Sequence, residues 1–168
     1  VDAMRSIREH LQKLFGNRYE VSVTANYVVV HPKGKRNEWA DPFQALYGRF
    51  THYFAVRGFE LHEPEFPLIV IVAETPQEFD RISARDGLAN PESWAGYYSQ
   101  VSNWIVTKGW VSRQEAESTL IHEALHQYAF NRGLHRRYAI TPKWGVEGLA
   151  AMFEAPGVND SRNHPADK

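Results

Sequence analysis

His122, Glu123, Ala124, Leu125 and His126 read H-E-x-x-H. On a helix, a four-residue spacing sends both imidazoles out of one face, one turn apart, where they can meet a single metal ion. Glu123 leaves the helix about 100° away from His122, beside such an ion and not on it. That is where a base must stand to take a proton from an activated water. The segment is predicted helical: Ser112-Arg113-Gln114-Glu115 forms a capping box, and the helix over 113–132 stops before Gly133.

A third ligand must come from elsewhere in the chain. There are no cysteines, so thiolate ligands, thiol nucleophiles and disulfides are all excluded. The metzincin pattern needs Gly three residues and His six residues after the second His; Ala129 and Arg132 occupy those positions. Downstream of the motif, Asp occurs only in the polar tail, at Asp160 and Asp167. Glu147, Glu154, His135 and His164 remain, and Glu147 is the best of them. It lies on a separate predicted helix that starts at Thr141-Pro142 and must stop before Pro156-Gly157. Small residues around it, Gly148, Ala150 and Ala151, would let two helices approach closely. Two imidazoles and a carboxylate leave a fourth position open to water. Glu154, further along a similar face, is read as a supporting or solvated group.

His122-Glu123-Ala124-Leu125-His126, followed by Trp144-Gly145-Val146-Glu147-Gly148-Leu149-Ala150, resembles the gluzincins, thermolysin-like metallopeptidases with a distal glutamate ligand. The W-x-x-E-G-x-A segment is also similar to small bacterial peptidase-MA domains. The resemblance covers 122–154 in motif and most of 19–154 in layout. It implies Zn2+ as cofactor, with His122, His126 and Glu147 as ligands and Glu123 as catalytic base. Gluzincins often carry Asp four residues after the ligand Glu, to orient a ligand His. Here that residue is Ala151, so the orienting group is unidentified.

Peptide hydrolysis also needs a group to stabilise the developing oxyanion. Tyr138 and His135, between the two ligand helices, are the candidates, and Arg132, Arg136 and Arg137 in the same stretch could pair with a substrate carboxylate. Residues 96–107 read as a hairpin; the resemblance implies that its edge strand takes an extended substrate by strand addition, with Tyr97 and Tyr98 bordering the cleft. His10, His31, His52 and His62 show no metal spacing and read as surface or core histidines.

The elements that must hold these groups follow from pattern. Residues 2–15 show helical apolar spacing before Gly16; 19–23 alternate; 27–31 form a β-branched run ended by Pro32. Asp41-Pro42-Phe43-Gln44 reads as a helix start, with the helix running to Arg57. Residues 66–73 read as a buried strand, so 27–73 form a βαβ unit with parallel strands. Thr75-Pro76 opens a further helix that ends before Gly87. The fold class is α+β, a small mixed sheet with an edge hairpin packed on the H-E-x-x-H helix and a following Glu-bearing helix; the resemblance implies a zincin-like lobe. Residues 1–156 form a single domain, and 157–168 a polar, poorly ordered tail.

Composition limits the partners. In 168 residues, 43% are hydrophobic, 23% are charged and the net charge is −1, which fits a globule with its own core. The near-neutral balance opposes a nucleic-acid partner, and no apolar run is long enough for a membrane span. The chain starts at Val1 without a Met, so a removed export signal would leave no trace; an exported or cell-envelope location is the expectation. The expected activity is zinc-dependent hydrolysis of a peptide or protein substrate. The alternatives are a zinc-binding, non-catalytic scaffold domain and hydrolysis of a non-peptide amide.

Overall fold

The computed structural model describes residues 2–89, 93–136 and 140–166. Within them the chain runs α1 (Asp2–Phe15), β1 (Tyr19–Val23), β2 (Tyr27–Pro32), α2 (Arg36–Ala55), β3 (Leu68–Ala73), α3 (Pro76–Arg85), β4 (Gly96–Tyr98), β5 (Trp104–Lys108), α4 (Arg113–Asn131) and α5 (Lys143–Glu154). The class is α+β, built on a mixed five-stranded sheet of order β1-β2-β3-β5-β4.

The β2–α2–β3 unit is parallel, with Val29 opposite Val70. β3 and β5 are also parallel, while β1 and β4 close the two edges antiparallel to their neighbours. Helices cover both faces, so the central strands are apolar on both sides. Alternate residues divide between the two faces. Tyr27, Val29, Val70, Val72 and Ile105 pack under α2, α4 and α5. Val28, Val30, Ile71 and Val106 pack under α1 and α3, against Leu11, Phe79 and Ile82.

α2 departs from its predicted start. It begins at Arg36, without a side-chain cap, and Pro42 lies inside it. Trp39 and Ala40, in the turn before the proline, are buried, and their packing extends the helix backwards past the local Asp41-Pro42 stop signal. The Thr75 cap of α3 forms as its sequence suggests, its side chain accepting from the Glu78 amide.

Residues 157–166, read as a loose tail, carry a short 3-10 turn at Ser161–Asn163 and fold back on α2. There the His52 Nε2 donates to the His164 carbonyl at 2.6 Å, and Arg57 donates to His164 Nδ1 at 3.1 Å. No helix among the described residues is long and apolar enough to cross a membrane.

Candidate metal centre

α4 is held firmly in place. The capping box of Ser112 and Glu115 forms at its start. Ala116, Leu120, Ala124, Leu125 and Tyr128 sink into the core. Gln127 Nε2 donates to the carbonyls of Ile69 and Asn103, which pins the helix to the ends of β3 and β5. At its far end Gly133 adopts φ +85°, and a Cβ there would lie 2.8 Å from the His62 ring, so only glycine fits the stop. These restraints leave His122, half-buried, and His126, buried, on one face of the helix, their rings 4.6 Å apart and nearly perpendicular.

α5 brings the third group. Glu147 Oε2 lies 3.2 Å from His122 Nε2 and 3.5 Å from His126 Nε2. Ligand atoms of all three residues fall within 4.8 Å of one another. Ligands placed tetrahedrally at 2.0–2.1 Å around zinc stand roughly 3.3–3.4 Å apart, so the two carboxylate–imidazole separations already match such a centre. Two imidazoles and one carboxylate are also the donor types zinc prefers. Of the two α5 carboxylates His126 meets Glu147, whereas His122 reaches both Glu147 and Glu154, so α4 and α5 run antiparallel.

The small residues of α5 divide differently from expectation. Ala150 is fully buried against the core, but Gly148 and Ala151 are exposed. Ala150 is thus the small residue turned inward, while Phe153 anchors α5 against α2, its ring edge-on to Phe50 and Tyr53.

Glu123 is half-buried beside the cluster, and its Oε2 accepts from the Tyr98 backbone amide at 2.8 Å. Burial pushes its carboxyl up to about 7; the charge of His122 and the Tyr98 amide oppose this, while Glu147 and Glu154 add to it. Burial also holds His126 well below the ordinary imidazole range, helped by the charge of His122. His122 moves the other way: burial lowers it, but Glu154, Glu123 and Glu147 together outweigh burial and raise it.

The edge hairpin borders the centre as expected. A cleft of about 460 Å³ is lined by Tyr97 and Tyr98 of β4, Trp94, His122, Glu123 and Glu147, among others. The turn between β4 and β5 is tied to α4 by Asn103 and Asn131, whose side-chain amides donate to one another at 2.9 Å. Asn103 sits at φ +60°, and the Tyr98 hydroxyl donates to its Oδ1. Nothing in the local pattern of 100–103 marked this anchor.

The other predicted groups sort as follows. Tyr138 and Arg137 lie outside the described residues. His135 is buried, its ring 5.2 Å from that of Phe130, and is not one of the three converging donors. Arg132 is buried and committed to Glu63 and the Tyr47 hydroxyl, both at 2.9 Å, so it cannot serve a substrate carboxylate. His164 is engaged on α2. His31 is a core histidine, bonded to Ser22 at 2.7 Å. The residue whose place pattern left open is Glu154, with Oε1 2.6 Å from His122 Nδ1.

The chain matches no curated protein and no solved structure. A family model described as "Protein of unknown function (DUF1570)" matches residues 116–165, the stretch that carries most of α4, all of α5 and every residue of the His122–His126–Glu147 cluster.

Proposed function

We propose that this protein is a zinc-dependent metallopeptidase of the gluzincin type, with His122, His126 and Glu147 as ligands and Glu123 as general base. The observation that carries it is the convergence of the two Nε2 atoms and the Glu147 carboxylate, with a second carboxylate, Glu123, beside them and tied to the edge strand. A zinc ion bound there would supply a Lewis acid that polarises a carbonyl and acidifies water. Glu123 then takes a proton from the attacking water and delivers it to the leaving amine. The Tyr98 amide holds its carboxylate toward the cleft, and burial makes it a stronger base than an exposed glutamate. β4 is an edge strand whose residues border the cleft, which suits a substrate chain lying extended along it.

The test is Glu123→Gln. The amide is close in shape and still bonds, so bound zinc should stay near one ion per chain. Hydrolysis of a peptide substrate should fall ~10²–10⁴-fold, the typical cost of losing a positioned base. Equal rates in the two proteins would refute the mechanism. A fully zinc-loaded wild type that cleaves nothing across a broad peptide library would make the domain a zinc-holding scaffold instead.

A further inference from the structure

Glu154 ends α5, seven residues beyond Glu147. On a helix, seven residues return a side chain to within about 20° of its starting face, and four residues to within about 40°. Ala151, at the four-residue position, is exposed and has no group to offer. Glu154 is half-buried and comes back over α4 at the level of His122, because the two helices run antiparallel. Its Oε1 meets the His122 Nδ1 at 2.6 Å, while the Nε2 of the same ring faces Glu147 Oε2 at 3.2 Å. The two nitrogens of one imidazole are therefore engaged by two carboxylates from one helix.

We propose that Glu154 is the positioning residue of this centre, holding the His122 proton on Nδ1 and so keeping the Nε2 lone pair directed at the ion. An ionised carboxylate can only accept, so a neutral ring bonded to it must donate from Nδ1. The ring's rotation is set by the same bond, which removes a torsional freedom that metal binding would otherwise have to freeze. The longer Glu side chain, one turn further along α5, supplies what an Asp at the position of Ala151 would have supplied. The inference rests on the metal reading for its consequence, though not for the hydrogen bond itself.

Two measurements test it separately. The first needs no metal. In metal-free Glu147→Ala protein, which removes the competing acceptor at Nε2, long-range ¹H–¹⁵N spectra at pH 9 should show neutral His122 protonated on Nδ1. Adding Glu154→Ala should move the proton to Nε2, the form free imidazole prefers. An unchanged tautomer overturns the proposal. The second is zinc affinity in the otherwise wild-type chain, by chelator competition. Glu154→Ala should weaken binding ~10–100-fold, and Glu154→Gln, whose carbonyl oxygen still accepts, by clearly less. Equal affinity for wild type and Glu154→Ala overturns the proposal. Should the alanine chain fail to fold, Glu154→Asp, one methylene too short to reach the ring, carries the same expectations. If the tautomer shifts as stated but wild type takes up no zinc, Glu154 does position His122 and it is the metallopeptidase reading that fails.

Discussion

The two faces of the sheet solve different problems. Under α1 and α3 the packing is simple: Leu11, Phe79 and Ile82 meet Val28, Val30, Ile71 and Val106. The buried polar groups there have local partners, with the Tyr97 hydroxyl on Asp86 at 2.9 Å and the Ser83 hydroxyl on the Asp80 carbonyl at 3.0 Å. Under α2, α4 and α5, His126, Gln127, Arg132 and His135 are all buried. Among the described residues, the buried polar side-chain atoms without a hydrogen-bond partner are Tyr27 Oη, Gln127 Oε1 and Arg132 Nε, and all lie on this second side. A face that only packs can satisfy each group it buries. One that must also present two imidazoles and two carboxylates to a cleft keeps some groups at a cost in stability.

Substitutions should separate the two faces. The largest effects are opposite in kind. Phe79→Ala, on the packing face, should cost about 3–5 kcal/mol in denaturant unfolding, while the protein that remains folded still takes up zinc. Glu147→Ala should weaken zinc binding by more than the ~10–100-fold that follows loss of a supporting group, with little change in metal-free unfolding, because the side chain is about half exposed. If Phe79→Ala abolished zinc uptake in folded protein, the two faces would not be independent.

Next in size is the pH response of zinc binding. His126 is already neutral well below neutral pH, whereas His122 keeps its proton above the ordinary imidazole range. As pH falls from above the ordinary imidazole range, affinity should therefore drop with a slope near one proton per ion, up to ~10-fold per unit. A slope of two would mean that both imidazoles titrate together.

A smaller effect concerns Glu123 in the metal-free protein. Its folded value of about 7 lies above that of the unfolded chain. The folded state then holds the proton more tightly, so the group's contribution to stability is greatest below the unfolded value and declines as pH rises to about 7. Glu123→Gln should accordingly raise metal-free stability by about 1–2 kcal/mol at pH 8, after allowance for partial solvent screening, and by almost nothing at pH 4. Thermal melts at the two pH values check the sign. The smallest expected change is Tyr27→Phe, which deletes an unpartnered buried hydroxyl and should leave stability unchanged or raise it by up to ~1 kcal/mol.

Much of this architecture was legible in the chain because the signals were local. The Ser112–Glu115 capping box, the Thr75 cap, the β-branched runs of β2 and β3, and the one-turn spacing of His122 and His126 each depend on a few neighbouring residues. Glu147 could be ranked first because few carboxylates follow the motif. What stayed hidden depends on contacts between distant segments. The start of α2 was set by burial of Trp39 and Ala40, which overrode the Asp41-Pro42 signal. Arg132 looked like a loop cation until its partners Glu63 and Tyr47 arrived from two other elements. The role of Glu154 depended on α5 running antiparallel to α4, which no spacing within one helix reveals. The return of 157–166 onto α2 rests on His52, Arg57 and His164, polar residues that pattern alone reads as solvated.

α5 is fastened unequally along its length. Its C-terminal half is held by Phe153 among the rings of Phe50, Tyr53 and Phe54, by Glu154 on His122, and by Asn159 on the Phe153 carbonyl. Its N-terminal half begins at Pro142 without a side-chain cap, Trp144 is 80% exposed, and Ile140 just before it is fully exposed. Local opening of the helix should therefore start at the Trp144 end and detach Glu147 while Glu154 still grips His122. Amides at the start of α5 would then exchange with solvent much faster than those near Phe153. An ion held by Glu147 would act as a clasp on the fraying end, slowing exchange there and leaving the anchored end almost unaffected.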